Sequence, residues 1–394
     1  MKIFMDVSVL VMASFLTGIQ RVTREITLRL IEDPKTEAVL LYYHAAENSY
    51  YRIDQQAFYR YYARHRGIRE QMVTRQKVPL SEIGHGAVFF DLDAAWMCRI
   101  RRSYLLPVLK RQGAVIVAHI YDIISITHPQ YCLQRGVCLF MDFIGAHLQY
   151  ADLCIVNAQA TKAELKRLAG QIGCALPSCA VIPLGADFCA EQTTQKRRIR
   201  KSLTEAVTAA RPYLLMTGTI EPRKNHKLLL QAYDQGLRDI GYSILFAGSM
   251  GWNMEAFAQA MKRHPDYGTR IFWFCGLQDD EISYLYRHAR FLFFGSYAEG
   301  FGLPVLEALQ YGTPVLASDI PVTREVAGDC CVYFAQDQAQ QICDRVAYYH
   351  SHRTEYETLR QRIRKYRPYD WNSCYLRMRD QLYQTAFAEQ DKSK

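Results

Sequence analysis

Two glutamates, Glu299 and Glu307, stand with seven residues between them in the segment GSYAEGFGLPVLEALQYGTPVLASD. A GFG turn follows Glu299, and Pro304 then falls where the first turn of a helix tolerates proline. Phe301, Gly302 and Leu303 are therefore expected to present backbone N–H groups at a helix start, a seat for a phosphate or a sugar hydroxyl. Gly300 and Gly302 carry no side chain to hold a ligand away. Glu307 would lie inside the helix and Glu299 just ahead of it, so both carboxylates, which only accept hydrogen bonds, could face the hydroxyls of one ligand. Taken alone, two such glutamates read more often as solvated helix charges.

A second segment changes that weighting. GTIEPRKNHKLLLQAY follows the apolar run YLLMTG and sets Arg223 and Lys224 at a strand's carboxyl end, ahead of another helix. Two cations there suit the charge of a diphosphate leaving group. A solvated basic turn is the bland reading of one such pair, and it loses ground when a two-glutamate segment follows the end of a later strand. Other chemistries have less support. Neither a GxGxxG fingerprint nor a P-loop is present, and the DLD at 91–93 reads as incidental to a strand end. The twelve cysteines show no CxxC; Cys174 with Cys179 and the adjacent Cys330 and Cys331 lack a zinc spacing, and all read as reduced, mostly buried small side chains. His119, inside an apolar strand, reads more readily as a satisfied core residue than as a ligand.

These residues need a scaffold, and the pattern supplies an α/β one. Short β-branched runs alternate with segments of helical period, which argues for parallel sheets with crossover helices. Residues 2–7 predict a strand, and Gly18 opens a helix in which Ile19, Val22, Ile26 and Leu30 share a face. AVLLYY, AVFFDL, AVIVAHI, DLCIVN and CAVIPL predict further strands, with helices near 99–112, 135–149 and 160–168. After the polar, basic stretch EQTTQKRRIRKSLTEA a second series begins with YLLMTG, SILFAG, RIFWFCG, RFLFFGS and PVLASD. Such sheets bind ligands at the carboxyl ends of their strands, so two Rossmann-like domains facing a central cleft are expected.

At 394 residues the chain suits two domains, and 49% hydrophobic with 22% charged residues is a globular composition. The formal charge of +9 favours anionic partners without choosing among them. MKIFMDVSVLVMASFL resembles a signal peptide superficially, but Asp6 interrupts it and a first strand explains it better. The sequence has no apolar run of the roughly 18–20 residues that would span a bilayer. A cytoplasmic protein, soluble or peripheral on the inner face of the plasma membrane, is expected.

On GTIEPRKNH and EGFGLPVLEALQYGTPVLASDIPVTREVAGD, with TGIQRVTRE, YDIISITHPQY, VNAQATKAEL, VIPLGAD and PYDWNSCYLRM in support, the chain resembles glycosyltransferase family 4 over nearly its whole length. The resemblance implies the GT-B fold: an acceptor-binding domain at 1–195, a nucleotide-sugar-binding domain at 196–368, and a closing helix at 369–394 that crosses back to the first. It implies a retaining transfer of a hexose to a glycan or lipid-linked saccharide, with no metal and no cofactor. Arg223 and Lys224 would hold the donor diphosphate, Glu307 the ribose hydroxyls and Glu299 the transferred sugar. Gly300, Phe301, Gly302 and Leu303 would complete the pocket. Gly18 would belong to the loop closing over the donor, and Asp122 would approach the reacting sugar, with Arg21 a weaker candidate.

There are departures from the family. Thr219 stands where many members have arginine, and Tyr121 stands before Asp122 where they often have histidine, leaving His119, Tyr121 or His128 open for that place. The EPRKN form resembles bacterial mannosyl- and rhamnosyltransferases of surface-polysaccharide assembly, which points first to GDP-mannose and next to a dTDP- or UDP-sugar. A different class, a non-catalytic protein binding polyanions or membranes, would use KRRIRK at 196–201 or QRIRKYR near 361, although a solvated linker explains either run. An anionic membrane surface is a candidate contact and nucleic acid is not expected. YYRIDQQAFYRYYARHRGIRE reads as an acceptor or membrane surface, or as a half-exposed helix.

Overall fold

The structure, a computed structural model, describes residues 1–13, 18–64, 67–187 and 199–392. It consists of two compact units, Met1–Gly185 with Tyr369–Lys394, and Ala186–Pro368. The division falls between Gly185 and Ala186 rather than after residue 195. Close packing gives a reason: a Cβ on Gly185 would lie 2.5 Å from the backbone nitrogen of Trp371, so glycine is needed where the final segment lies against it.

In the first unit eight strands, β1 (Lys2–Asp6), β2 (Glu37–His44), β3 (Ser49–Ile53), β4 (Val73–Val78), β5 (Val88–Asp91), β6 (Val115–Ile120), β7 (Leu153–Val156) and β8 (Ser178–Val181), form one sheet of order β4-β3-β2-β1-β5-β6-β7-β8. Six run parallel, and β3 and β4 extend the sheet antiparallel at one edge. The strand order reverses between β1 and β5, and a buried ion cluster closes that point. Arg102 donates from Nε to Asp91 at 2.7 Å and from Nη2 to Asp6 at 2.9 Å, with Tyr50 adding a bond to Asp6 at 2.9 Å. All three charged groups are essentially inaccessible, and such groups persist inside a protein only when paired.

The helix Gly18–Glu32 buries Val22, Ile26 and Leu30 as its period predicts. The final helix, Trp371–Lys392, returns to this unit: Tyr375 donates to Asp33 at 2.8 Å and Arg379 pairs with it at 3.0 Å. The tyrosine-rich stretch divides between β3 and the helix Gln55–Arg64, and much of it is core. Tyr50, Phe58 and Tyr62 are buried, which leaves fewer aromatics for an acceptor than the sequence suggests.

The second unit holds six parallel strands, β9 (Tyr213–Thr217), β10 (Ser243–Ala247), β11 (Ile271–Phe274), β12 (Phe291–Phe294), β13 (Val315–Ser318) and β14 (Cys331–Phe334), in the order β11-β10-β9-β12-β13-β14. Counted from β9 this is 3-2-1-4-5-6, the doubly wound Rossmann order, with its switch point between β9 and β12. YLLMT, SILFA, FLFF and VLAS are buried throughout, as strands with helices on both faces require. Single residues of the two basic runs are tied into this unit. Arg200 pairs with Glu281 at 2.6 Å, Arg362 donates to the carbonyl of Asp329 at 2.7 Å, and Ile363 is buried; residues 196–198 lie outside the described residues. Among the described residues no helix is long and apolar enough to cross a membrane.

Candidate active site

The site is assembled at the switch point of the second sheet, from the loops that leave β9 and β12. After β9 the chain turns through Gly218, whose φ of +106° favours glycine, and hydrogen bonds to the end of β10 and the loop that follows: Gly218 N to Ala247 O at 2.9 Å and Ile220 N to Ser249 O at 2.9 Å. A Cβ on Gly248 would fall 1.9 Å from the carbonyl oxygen of Gly218, so these backbones can approach only because of glycine. Thr219 is part of this packing, its methyl 2.9 Å from where a Cβ on Gly251 would lie. The turn Pro222–Lys224 follows, closed by Asn225 in the left-handed region. The Asn225 side chain donates to Asp337 at 3.0 Å, which ties the turn to the loop after β14.

From the other side, β12 ends at Phe294 and the chain passes Ser296 and Glu299 before the helix Leu303–Gln310. Gly302 caps that helix with φ +93°, its carbonyl accepting from Val305 N at 2.9 Å, and Pro304 sits in the first turn. Phe301 is buried beneath the turn. The two loops are joined by backbone, Tyr297 N donating to Arg223 O at 2.9 Å.

Oε1 of Glu299 is 2.7 Å from Arg223, 3.1 Å from Lys224 and 2.8 Å from the Ser296 hydroxyl, which donates to it. Burial pushes this carboxyl up, but the charges of Arg223 and Lys224 outweigh it and hold the group down at about 2. Arg223 also donates to the carbonyl of Ala298 at 2.7 Å and to Glu221 at 2.6 Å, so its guanidinium plane is fixed. Glu307 is buried on the helix, and Oε2 accepts from the Tyr286 hydroxyl at 2.7 Å. That hydroxyl lies 2.9 Å from Thr217 Oγ1 at the end of β9, so a strand, a helix and the glutamate share one polar chain.

The structure thus brings together Arg223, Lys224, Glu299, Gly300, Phe301, Gly302, Leu303 and Glu307, with Thr219 in the adjoining loop. It adds Glu221, Ser296 and Tyr286, which motif reading missed. Ser296 had a signal, being just past a strand end. Tyr286 had none, because it arrives on the separate helix Asp279–His288.

Gly18 and Asp122 belong to the first unit. Gly18 begins the helix after β1, and the neighbouring residues 14–17 lie outside the described residues. Asp122 follows β6 and accepts from Ile124 N at 2.9 Å. Of the three candidates beside it, His119 is buried against Asn157 at 2.6 Å, its basicity lowered to about 4 by burial. Tyr121 donates to Leu92 O at 2.8 Å, and His128 meets the Thr127 hydroxyl at 2.8 Å. The DLD carboxylates are also engaged: Asp91 with Arg102, and Asp93 with the backbone N–H groups of Leu10 and Ala94 at 2.7 and 2.8 Å.

The stretch of sequence that builds this switch point matches a known family model. Residues 196–366 fit the family described as glycosyl transferases group 1.

Similarity to curated proteins extends beyond residues 196–366. The chain is 28% identical over 360 residues to the serotype-specific mannosyltransferase WbdA of Escherichia coli, an alignment covering 88% of this chain and 41% of the relative. It is 30% identical over 250 residues to the O-antigen chain mannosyltransferase B of Escherichia coli, covering 60% and 62%. The chain therefore spans only about two-fifths of the length of the WbdA proteins. Among solved structures, Anabaena Alr3699/HepE in complex with UDP-glucose superposes with a TM-score of 0.66 at 14% identity, covering 98% of this chain and all of that one. Sucrose-phosphate synthase from Thermosynechococcus elongatus does so with 0.65 at 17%, covering 98% and 99%. At these identities the likeness is one of fold: two Rossmann-like domains of the GT-B kind.

Proposed function

We propose that the chain is a retaining mannosyltransferase that takes mannose from GDP-mannose and transfers it to a growing surface polysaccharide or its lipid-linked precursor. The observation that carries this reading is the Arg223–Lys224–Glu299 cluster at the β9–β12 switch point, whose charges suit a diphosphate and a sugar. The alignment with WbdA over most of the chain supports the choice of mannose. Nucleotide sugars and lipid-linked precursors share the cytoplasmic face of the membrane, where this reading places the protein.

In this reading the donor diphosphate takes up Arg223 and Lys224, both of which pair with Glu299. Released from part of that pairing, Glu299 accepts from hydroxyls of the transferred sugar, and Glu307, oriented by Tyr286, accepts from the ribose. Gly302 and Leu303 offer the helix start to phosphate or sugar oxygens. The bond between the anomeric carbon and the diphosphate oxygen breaks through an oxocarbenium-like state. The acceptor oxygen bonds to the same face, and its proton passes to the departing phosphate oxygen. Arg223 and Lys224 stabilise the charge that develops there, and the reading assigns no step to a metal.

The test is a hydrolysis and thermal-shift screen against GDP-, UDP-, dTDP- and ADP-sugars, with and without chelator. GDP-mannose is expected to raise the melting temperature most, with turnover unchanged by chelation. Stabilisation by UDP- or dTDP-sugars alone would overturn the choice of donor, and activity restored only by a divalent ion would overturn the metal-free step.

A further inference from the structure

The donor end of the second sheet is not its only charged end. At the opposite end, where β9, β12 and β13 begin, a depression of about 350 Å³ is lined by Arg211, Arg287, Arg290 and Arg360 together with His288 and Tyr311. That volume is within the range of small-ligand pockets, about 300–1,000 Å³. The five residues of β9 at about 3.3 Å each separate this face from the Arg223 turn by roughly 15 Å, so the two do not share a ligand.

Cations at this face have an ordinary role, since Arg211 follows the helix Lys201–Ala210 and Arg287 ends the helix Asp279–His288, where each complements carbonyls of a helix terminus. The cluster exceeds that need. Among the described residues the only carboxylate in ion-pair reach of the four guanidiniums is Glu357, 3.8 Å from Arg360. Arg290 is held in place, its Cζ 3.2 Å from the ring centre of Tyr356 and its Nη2 donating to Tyr349 O at 2.9 Å. Arg287 lies over the ring of Tyr311 at 5.1 Å. His288 donates from Nδ1 to Tyr284 O at 2.8 Å, and burial together with the charges of Arg211 and Arg287 pushes its basicity down. The protein thus gathers four cations around one recess with a single carboxylate in ion-pair reach among the described residues, an arrangement that favours an anion.

We propose that this recess binds a phosphate-bearing anion, its oxygens accepting from the guanidinium forks of Arg211, Arg287 and Arg360 around the fixed Arg290. Planar, multidentate donors favour phosphate over a monovalent halide. The phosphate could be that of a soluble metabolite or of a lipid headgroup; the chemistry of recognition is the same.

The test uses the full chain carrying Arg223→Gln, which weakens any phosphate binding at the donor end. Calorimetric titration with inorganic pyrophosphate should show one equivalent bound. Adding Arg211→Gln and Arg360→Gln, two surface changes, should raise its Kd at least tenfold while circular dichroism and the melting temperature of the unliganded protein stay close to those of the parent. Flotation with phosphatidic acid vesicles, set against phosphatidylcholine, distinguishes the sources. Capture by phosphatidic acid that is lost in the variant supports a headgroup, and pyrophosphate binding without capture supports a soluble ligand. Pyrophosphate and vesicle binding that are both absent, or both unaltered by the two substitutions, would overturn the proposal.

Discussion

The hydroxyl of Tyr286 donates to Oε2 of Glu307 across 2.7 Å, inside the second unit and away from the motif to which Glu307 belongs. The bond holds one oxygen of that carboxylate in a set direction. Tyr286→Phe removes the donor and leaves the ring in place. Donor Kd should rise several-fold, about 1 kcal/mol as for a typical hydrogen bond, with kcat nearly unchanged. Calorimetric titration with the donor checks the first and steady-state kinetics the second.

Glu307→Ala takes away the acceptor itself. Loss of measurable donor affinity is expected, with the circular dichroism spectrum of wild type retained. Wild-type affinity in this variant would falsify the ribose role.

Arg223 touches Glu299, Glu221 and the backbone of the loop after β12. If it carries leaving-group charge in the transition state, Arg223→Ala should lower kcat/KM about 10²- to 10³-fold. The melting temperature should also fall, because Glu221 loses its partner. A fall in stability with turnover preserved would make Arg223 a purely structural residue.

Glu299 gives a pH signature. Its carboxyl is held at about 2 in the folded protein, against about 4.5 for an ordinary glutamate. A depressed carboxylate stabilises the fold fully above its unfolded value, and that stability is lost as pH falls through the folded value. The window is therefore about pH 4.5 down to about 2, with a size on the order of 3 kcal/mol. Urea unfolding across this range should show a shallower pH dependence in Glu299→Gln than in wild type. Identical slopes would mean that the pairing contributes nothing to stability.

Gly185→Ala tests the first unit alone. The added methyl would meet the backbone of Trp371 at 2.5 Å, and backbone cannot step aside as a side-chain tip can. A loss of about 1–3 kcal/mol is expected, as for overpacking in a core, read as a lower urea midpoint.

Much of this protein could be read from local pattern. Continuous apolar runs ended by glycine, as in YLLMTG and SILFAG, mark strands buried on both faces, and a strand with helices on both sides is parallel to its neighbours. That physics suffices for the α/β class, and the glycine, proline and charge spacing around Glu299 and Arg223 suffices to single out both loops. Local pattern fails where burial is one-sided or the run is short. VTRQKV in β4 is largely polar and exposed at the sheet edge, and CVYF in β14 is four residues long, so neither stands out.

Only the tertiary structure decides the strand order. It sets β9 beside β12 and so brings Lys224 to Glu299 across 75 positions of sequence. It likewise turns Asp6 and Asp91 into partners of one buried arginine, and Tyr286 into the support of Glu307. Periodicity reports which face of an element is buried and nothing about which distant element covers it. The sequence alone therefore determined the elements and the residues capable of chemistry, whereas their pairing depended on how the sheets closed around them.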